Sequence, residues 1–309
     1  MPQTIDAKVV LLGALALVTL FYVVILARAV GRKRAVAEEP VSPTGVGVGT
    51  GFVTNFLDTL GIGSFATTTT IFRGLRMVPD ERIPGTLNVG HTLPTIAQAF
   101  IFTTAVPVET TTLISMIAAA VLGAWLGAGV VCKWPRRRIQ IGMGLCLLAA
   151  AILLAAKAMG KLPSGGADVV GVHGMWLAIA VAGNFALGAL MTLGIGLYAP
   201  CMILVSLVGM NVTAAFPIMM GSCAFLMPFA SARFVREGSF DLRASLGLLI
   251  GGIPAALIAG LIVKSLPLTA VMWLVVVVVV YTAFTLLRAA RSAGIASNAT
   301  SAEARGATA

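Results

Sequence analysis

Charge is what this 309-residue chain has least of: 10% of its residues are Asp, Glu, Lys or Arg, against 59% that are hydrophobic. A soluble domain carries about 25% charge, so the composition excludes an ordinary water-soluble fold and points to an integral membrane protein. Acids are scarcer than bases, 11 against 21. Most Lys and Arg stand just outside apolar runs, where membrane topology accounts for them, and no nucleic-acid partner is implied. Cysteine is sparse too: Cys132, Cys146, Cys201 and Cys223 lack the paired spacing that holds zinc or an iron–sulfur cluster, and read as packing residues. No metal or other cofactor is expected. The chain has no GxSxG elbow, no HExxH and no pair of carboxylates in an apolar segment. Gly45-Val46-Gly47-Val48-Gly49 has neither the preceding strand nor the following Lys of a phosphate-binding loop. An enzyme is therefore not expected. Nor does the first apolar run end in a small-residue cleavage site; Arg32-Lys33-Arg34 follows it, which marks a retained signal-anchor helix.

What is present is apolar length. Uncharged runs of spanning size cover Val9 to Ala27, Thr110 to Cys132, Ile139 to Ala156, Ala244 to Val263 and Ser265 to Leu287, with Pro84 to Val106 joining them if His91 is tolerated. Two passages are too long for one crossing. Gly45 to Phe72 has Asp58 as its single charge, Met175 to Met210 has none, and as helices they would measure about 42 and 54 Å against about 30 Å of hydrocarbon. Each holds the same pentapeptide at its middle, Thr59-Leu60-Gly61-Ile62-Gly63 and Thr192-Leu193-Gly194-Ile195-Gly196. Paired glycines break helices, so each passage is expected to fold back as a re-entrant hairpin with the pentapeptide at its tip. The closely spaced Gly45, Gly47, Gly49 and Gly51 permit tight helix contact. The match continues in order through Phe52 and Phe185, Met77 and Met210, Pro84 and Pro217, Pro94 and Pro228, which indicates an internal duplication.

Charge placement tests this arrangement. With both passages as hairpins and the N-terminus outside, 17 of the 21 Lys and Arg fall on the cytoplasmic side; with both as single crossings the best split is 12 to 9. The hairpin arrangement gives each repeat three crossings, an odd number, so the second copy is inserted upside down, as in many transporters.

A hairpin turning at membrane depth must satisfy its backbone from protein or a wet cavity, so the tips mark the candidate site. The half-helices restarting at Ser64 and near Leu197 would aim their N-H groups and positive dipole ends at the bilayer middle, where they suit an anion. Thr59, Gly61, Ile62, Gly63, Ser64 and Thr67 of the first tip, with Thr68 nearby, and Thr192, Gly194, Ile195, Gly196 and Tyr198 of the second are the expected substrate contacts. The alternative for these glycines and hydroxyls is close helix packing and bonds to their own helices. Asp58, an acid inside an apolar passage and beside the tip, is the candidate for proton or ion coupling, or else a carboxyl that shapes the hairpin. His91 and Asn88 lie three apart and share a face, where they line the cavity or serve structure; Ser222 lies at comparable depth in the second repeat.

Gly61-Ile62-Gly63-Ser64 with Pro84, Gly194-Ile195-Gly196 with Pro200 and Pro217, Gly123, Gly127 and Gly129 before a basic stretch, and Gly260 to Lys264 together resemble the sulfite exporter TauE/SafE family of anion permeases. The resemblance covers about residues 45 to 290, with the N-terminal helix and its acidic linker as an addition. It implies movement of sulfite, small organosulfonates or related anions across the inner membrane, generally outward.

The expectation is an all-α polytopic membrane protein with two inverted repeats, each a broken helix hairpin plus three transmembrane helices, and one extra N-terminal transmembrane helix. Its divisions are 1–44 (helix and linker), 45–159 (first repeat), 160–174 (inter-repeat loop), 175–290 (second repeat) and 291–309 (disordered tail). It would be a multi-pass inner-membrane protein with the N-terminus outside and the C-terminus cytoplasmic. Its partners would be the lipid bilayer, a small anion and, optionally, further copies of itself. Other readings are a channel or scaffold subunit without a transport cycle, or a transporter of cations or neutral sulfur compounds that uses Asp58 and Cys201.

Overall fold

A computed structural model describes residues 7–36, 42–131, 136–159, 169–191 and 197–306. The described residues form eleven α-helices and two short 3-10 turns, with no strand among them. In order, α1 is Ala7–Val36, α2 Gly45–Thr59, α3 Ser64–Gly74, α4 Ile83–Ala105, α5 Thr110–Val131 and α6 Arg136–Ala158. The second half follows with α7 Gly174–Met191, α8 Tyr198–Leu207, α9 Ala215–Glu237, α10 Leu242–Ser265 and α11 Leu268–Gly306. Each half thus has the same succession: two helices separated by the pentapeptide, a 3-10 turn (Asp80–Arg82 or Val212–Ala214), and three long helices.

The first passage breaks where its glycines predict. Gly61 and Gly63 both take left-handed backbone, φ +96° and +85°, which other residues adopt only with strain. Thr44 caps the start of α2 by accepting from Gly47 N at 3.0 Å. The chain then doubles back, because Met77, just beyond α3, lies against Gly47 near the start of α2.

Small residues set the helix contacts. α2 lies along α10 with Gly47 against Gly247, Gly51 against Leu248, and Gly251 against Val48 and Phe52, so the two run parallel. A methyl on Gly51 would come within 2.6 Å of the Leu248 backbone. α7 lies along α5 in the same sense, with Asn184 at Met116 and Gly188 at Ala120. The broken helix of each half therefore packs on the fourth helix of the other half. α4 and α9, which occupy equivalent places in the two halves, cross antiparallel at the centre, with Thr92 beside Ser231 and Phe102 beside Phe216. α6 and α11, also equivalent, are antiparallel as well: Arg137 meets Ala290, and Gly144 meets Ala283 and Leu287. α1 covers the outside of the central pair through Tyr22, which donates to the Val89 carbonyl, and Phe21, whose ring is tilted against that of Phe229.

Five described helical stretches are long and apolar enough to cross a membrane: Lys8–Arg32, Gly174–Met191, Val212–Glu237, Leu242–Val263 and Thr269–Arg291. Large side chains such as Leu17, Trp125, Ile152 and Leu261 face outward on these and neighbouring helices, as lipid requires of a surface that water would disfavour. Gly174–Met191 is α7, so the first arm of the second hairpin is by itself of spanning length, longer than α2. One difference concerns the C-terminus. The helix α11 continues to Gly306, past Ser292 where composition predicts order to end. Alanines recurring from Ala289 to Ala304, the best helix formers, carry it on.

Candidate substrate site

Asp58 is the centre of the candidate site. It sits in the last turn of α2, 2% exposed, and its carboxylate accepts from three elements. Oδ1 takes Ser64 N at 2.6 Å, the first N-H of α3. Oδ2 takes Gln98 Nε2 of α4 at 3.0 Å and, at a longer 3.4 Å, the hydroxyl of Tyr198 at the start of α8. The residue that opens the hairpin thus caps the helix that closes it. Gly63, the N-cap, has no side chain to do so, and a carboxylate at a helix N-terminus is favoured by the dipole.

The two halves meet at this point. Besides the Tyr198 hydroxyl, Met202 of α8 fills the space over Gly61, where a side chain would collide with its methyl group, and Met219 of α9 borders the same position. Thr59, fully buried, gives its hydroxyl proton to Asn55 O at 2.8 Å and accepts from Gln98 Nε2 at 2.9 Å. Ser64 is 3% exposed, so the cluster is closed to its surroundings.

About 10 Å along α4 from Gln98, two helical turns away, lies a second polar group. His91 Nδ1 contacts Asn55 Oδ1 at 2.9 Å and its Nε2 contacts Thr68 Oγ1 at 3.0 Å. Because Asn55 Nδ2 donates to Gly51 O, its Oδ1 must accept, which assigns the proton to Nδ1 and leaves Nε2 to accept from Thr68. Both ring nitrogens are thereby engaged, and the histidine fastens α4 to both arms of the first hairpin.

The second half carries a counterpart. Asn184 Nδ2 on α7 donates to Met116 O at 2.7 Å and to Ser222 Oγ at 3.3 Å, as Asn55 reaches α4 and, at 3.5 Å, the Leu248 carbonyl of α10. In the first half Gly51 precedes Asn55; in the second Asn184 precedes Gly188, so Gly and Asn exchange places at equivalent positions. In each case the glycine admits the neighbouring helix and the asparagine, one turn away, bonds to it.

Of the residues expected to bind substrate, Thr59, Gly61, Ser64 and Tyr198 gather with Asp58. Ile62 is half-buried against the main apolar core. Thr67 bonds to Gly63 O and Ser64 O, the back-bonding alternative. Asn88 donates to Pro84 O at 2.9 Å, and only His91 of that pair reaches the hairpin. Ser222 stands with Asn184. Thr192, Gly194, Ile195 and Gly196 lie outside the described residues. Gln98, Asn55 and Asn184 went unnoticed in the sequence. Gln98 had a signal: seven residues after His91, on the same face, it is an amide deep inside an apolar run. Among the described residues no group of three or more His, Cys, Asp or Glu side chains forms a metal site.

Residues 3–154 match the family described as Sulfite exporter TauE/SafE. The match begins ahead of α1, so the N-terminal helix falls within the family pattern rather than being an addition to it, and it ends within α6. Neither the curated proteins nor the solved structures yield a match to the chain.

Proposed function

We propose that this chain, which through residues 3–154 belongs to the sulfite exporter TauE/SafE family, moves sulfite, organosulfonates or related small anions across the inner membrane. As a member it is a multi-pass membrane transporter. The anion would bind between the N-terminal ends of α3 and α8. The observation that carries this reading is the meeting of Asp58, Ser64 N and Tyr198, which brings the restart of each half-helix to one place. Ser64 N is an anion donor already in use, and the resident anion is Asp58 itself. A substrate anion takes that donor only after the carboxylate leaves it or is neutralised, because two negative charges about 4 Å apart repel by about 4 kcal/mol at an effective dielectric constant of about 20. Asp58 is therefore the coupling residue: a proton or cation arriving there frees the helix end for substrate.

The antiparallel pairing of α4 with α9 and of α6 with α11 supports two inverted repeats, and the split of Lys and Arg supports an N-terminus outside and a C-terminus in the cytoplasm. Alternating access would part the tips from one side and then the other.

A second reading, a transporter of a soft cation, draws on the same Asp58 and on the sulfur atoms around the tip: Cys223 Sγ lies 3.8 Å from Met191 Sδ, and Met202 and Met219 border Gly61. Proteoliposomes separate the two. Saturable counterflow of sulfite, suppressed by excess methanesulfonate and indifferent to copper(I), is expected. Linear flux would indicate a channel, and flux of copper(I) with none of sulfite would overturn the anion reading.

A further inference from the structure

We propose that the side-chain carbonyl of Gln98 selects an oxyanion that still carries an O-H, such as hydrogen sulfite, over a sulfonate or a fully deprotonated oxyanion. This rests on the anion reading above and narrows its substrate class.

The orientation of the Gln98 amide is fixed by its neighbours. Thr59 Oγ1 spends its proton on Asn55 O, so toward Gln98 it can only accept; Asp58 Oδ2 also accepts. The atom that touches both must be Nε2. Oε1 is then left, in a fully buried side chain, as an acceptor with no partner. Buried acceptors are rarely left unpaired, and an orphan beside a candidate site calls for a donor that arrives from elsewhere.

The surrounding protein cannot provide it. Gln98 Nε2, Ser64 N and the Tyr198 hydroxyl all point at Asp58. Oε1 shares its carbon with Nε2, the atom bound to that carboxylate and to Thr59, so it belongs to the same buried cluster. A ligand replacing Asp58 on Ser64 N meets N-H and O-H donors on one side and the bare Gln98 carbonyl on another. A hydrogen oxyanion satisfies both, offering oxygens to the donors and its proton to Oε1. A sulfonate of the same charge presents a lone pair or a methyl group to that carbonyl and leaves it orphaned. Sites built to pair a ligand proton reject analogues that lack it.

The titratable side chains around this point are Asp58 of α2, His91 of α4, Tyr198 and Cys201 of α8 and Cys223 of α9. The comparison is therefore made at one mildly acid pH with ligands of equal charge. The full-length protein in detergent is titrated with hydrogen selenite, hydrogen sulfite and methanesulfonate, each a monoanion with three oxygens, and binding is read from the melting temperature and by calorimetry. The two hydrogen oxyanions are expected to bind about ten-fold or more tightly than methanesulfonate. Gln98→Met, close in shape but without the carbonyl, is expected to abolish that preference. Gln98→Asn, which keeps an amide but draws its oxygen back by one carbon, serves if the methionine variant does not fold, and is expected to lose the preference too. Equal binding of methanesulfonate and hydrogen selenite to the unaltered protein, or a preference that survives in a folded Gln98 variant, overturns the inference while leaving the anion reading intact. Absence of binding by all three overturns the anion reading and this inference with it.

Discussion

Replacing Asp58 tests whether the hairpin is closed by its carboxylate. The structure gives the side chain two short bonds, to Ser64 N at 2.6 Å and Gln98 Nε2 at 3.0 Å, and one long one to Tyr198. Hydrogen bonds to a charged group contribute about 1.5–3 kcal/mol each, and a buried donor left without a partner costs about 1–3 kcal/mol. Asp58→Ala removes both acceptor oxygens and with them all three bonds. Gln98 Nε2 retains Thr59, but Ser64 N is stranded in a closed site, so a loss of about 3–5 kcal/mol follows. Asp58→Asn preserves shape and one acceptor oxygen. That oxygen can stay on Ser64 N, while the new amide nitrogen faces Gln98 Nε2, donor against donor. Gln98 cannot turn over freely to relieve this, because its oxygen would then face Thr59 Oγ1, whose proton is committed to Asn55. A loss of about 1–2 kcal/mol is expected.

The assay is reversible unfolding in mixed micelles, with the order wild type, Asn, Ala. Combining Asp58→Asn with Gln98→Met should cost less than the sum of the two, by about 1 kcal/mol, because one bond is common to both losses. Variants within about 0.5 kcal/mol of wild type, the range of surface substitutions, would refute the cap. Transport separates cap from coupling. If Asp58→Asn in proteoliposomes carried substrate with unchanged pH dependence, Asp58 would close the hairpin without gating it.

Two further outcomes follow from the packing and the topology. Gly51→Leu must force α2 from the Leu248 backbone and is expected to cost about 3 kcal/mol by overpacking, whereas Gly49→Leu, exposed and with nothing within 4 Å of where its Cβ would stand, should be neutral; equal melting temperatures for the two would refute the α2–α10 contact. With the four native cysteines, Cys132, Cys146, Cys201 and Cys223, replaced, single cysteines at Asn211 and Arg76 should react with an impermeant thiol reagent from outside and inside the cell respectively; both on one face would discard the inverted arrangement.

The first hairpin was legible because two signals agreed: a passage too long for one crossing, and glycines in its middle that the backbone uses at positive φ. The glycines ahead of it were legible as a contact face, and Gly47 and Gly51 are the residues that touch α10. The partner helix was not legible. In a chain apolar on every side, periodicity does not mark which face meets protein and which meets lipid, and so the exchange of α2 and α7 between halves had no signature. The polar cluster was half legible. Asp58 stood out by its cost, but Asn55, Gln98 and Asn184 are uncharged and passed as ordinary members of apolar runs. Their meaning depends on neighbours up to about 200 residues away in sequence, such as Asn55 with Leu248.

The two halves share a frame but not a chemistry, and that asymmetry bears on how the site works. At the equivalent positions, Asn55 is replaced by Gly188, Asp58 by Met191, Thr68 by Cys201, and Gln98, counted from the paired Pro94 and Pro228, by Ala232. Each of these four polar residues thus has a small or sulfur-bearing counterpart, whereas Thr59 is matched by Thr192. Two chemically identical halves in inverted orientation would make the states open to either side equal in energy. Here the carboxylate, its helix cap and the orphan carbonyl all belong to the first half, whereas the second contributes Tyr198 and the methionine packed over Gly61. On the inverted-repeat reading, parting the tips on the side where the first hairpin opens breaks charge-assisted hydrogen bonds, and parting them on the other side breaks mainly apolar contact and one long hydrogen bond. The first is the costlier opening, by roughly the difference between bonds to a charge and the contacts of a thioether. On that reading a bias of that kind would make one access state predominate when no substrate is bound, and would give Asp58, beside its proposed part in coupling, a second one as the residue that sets which side the empty protein faces.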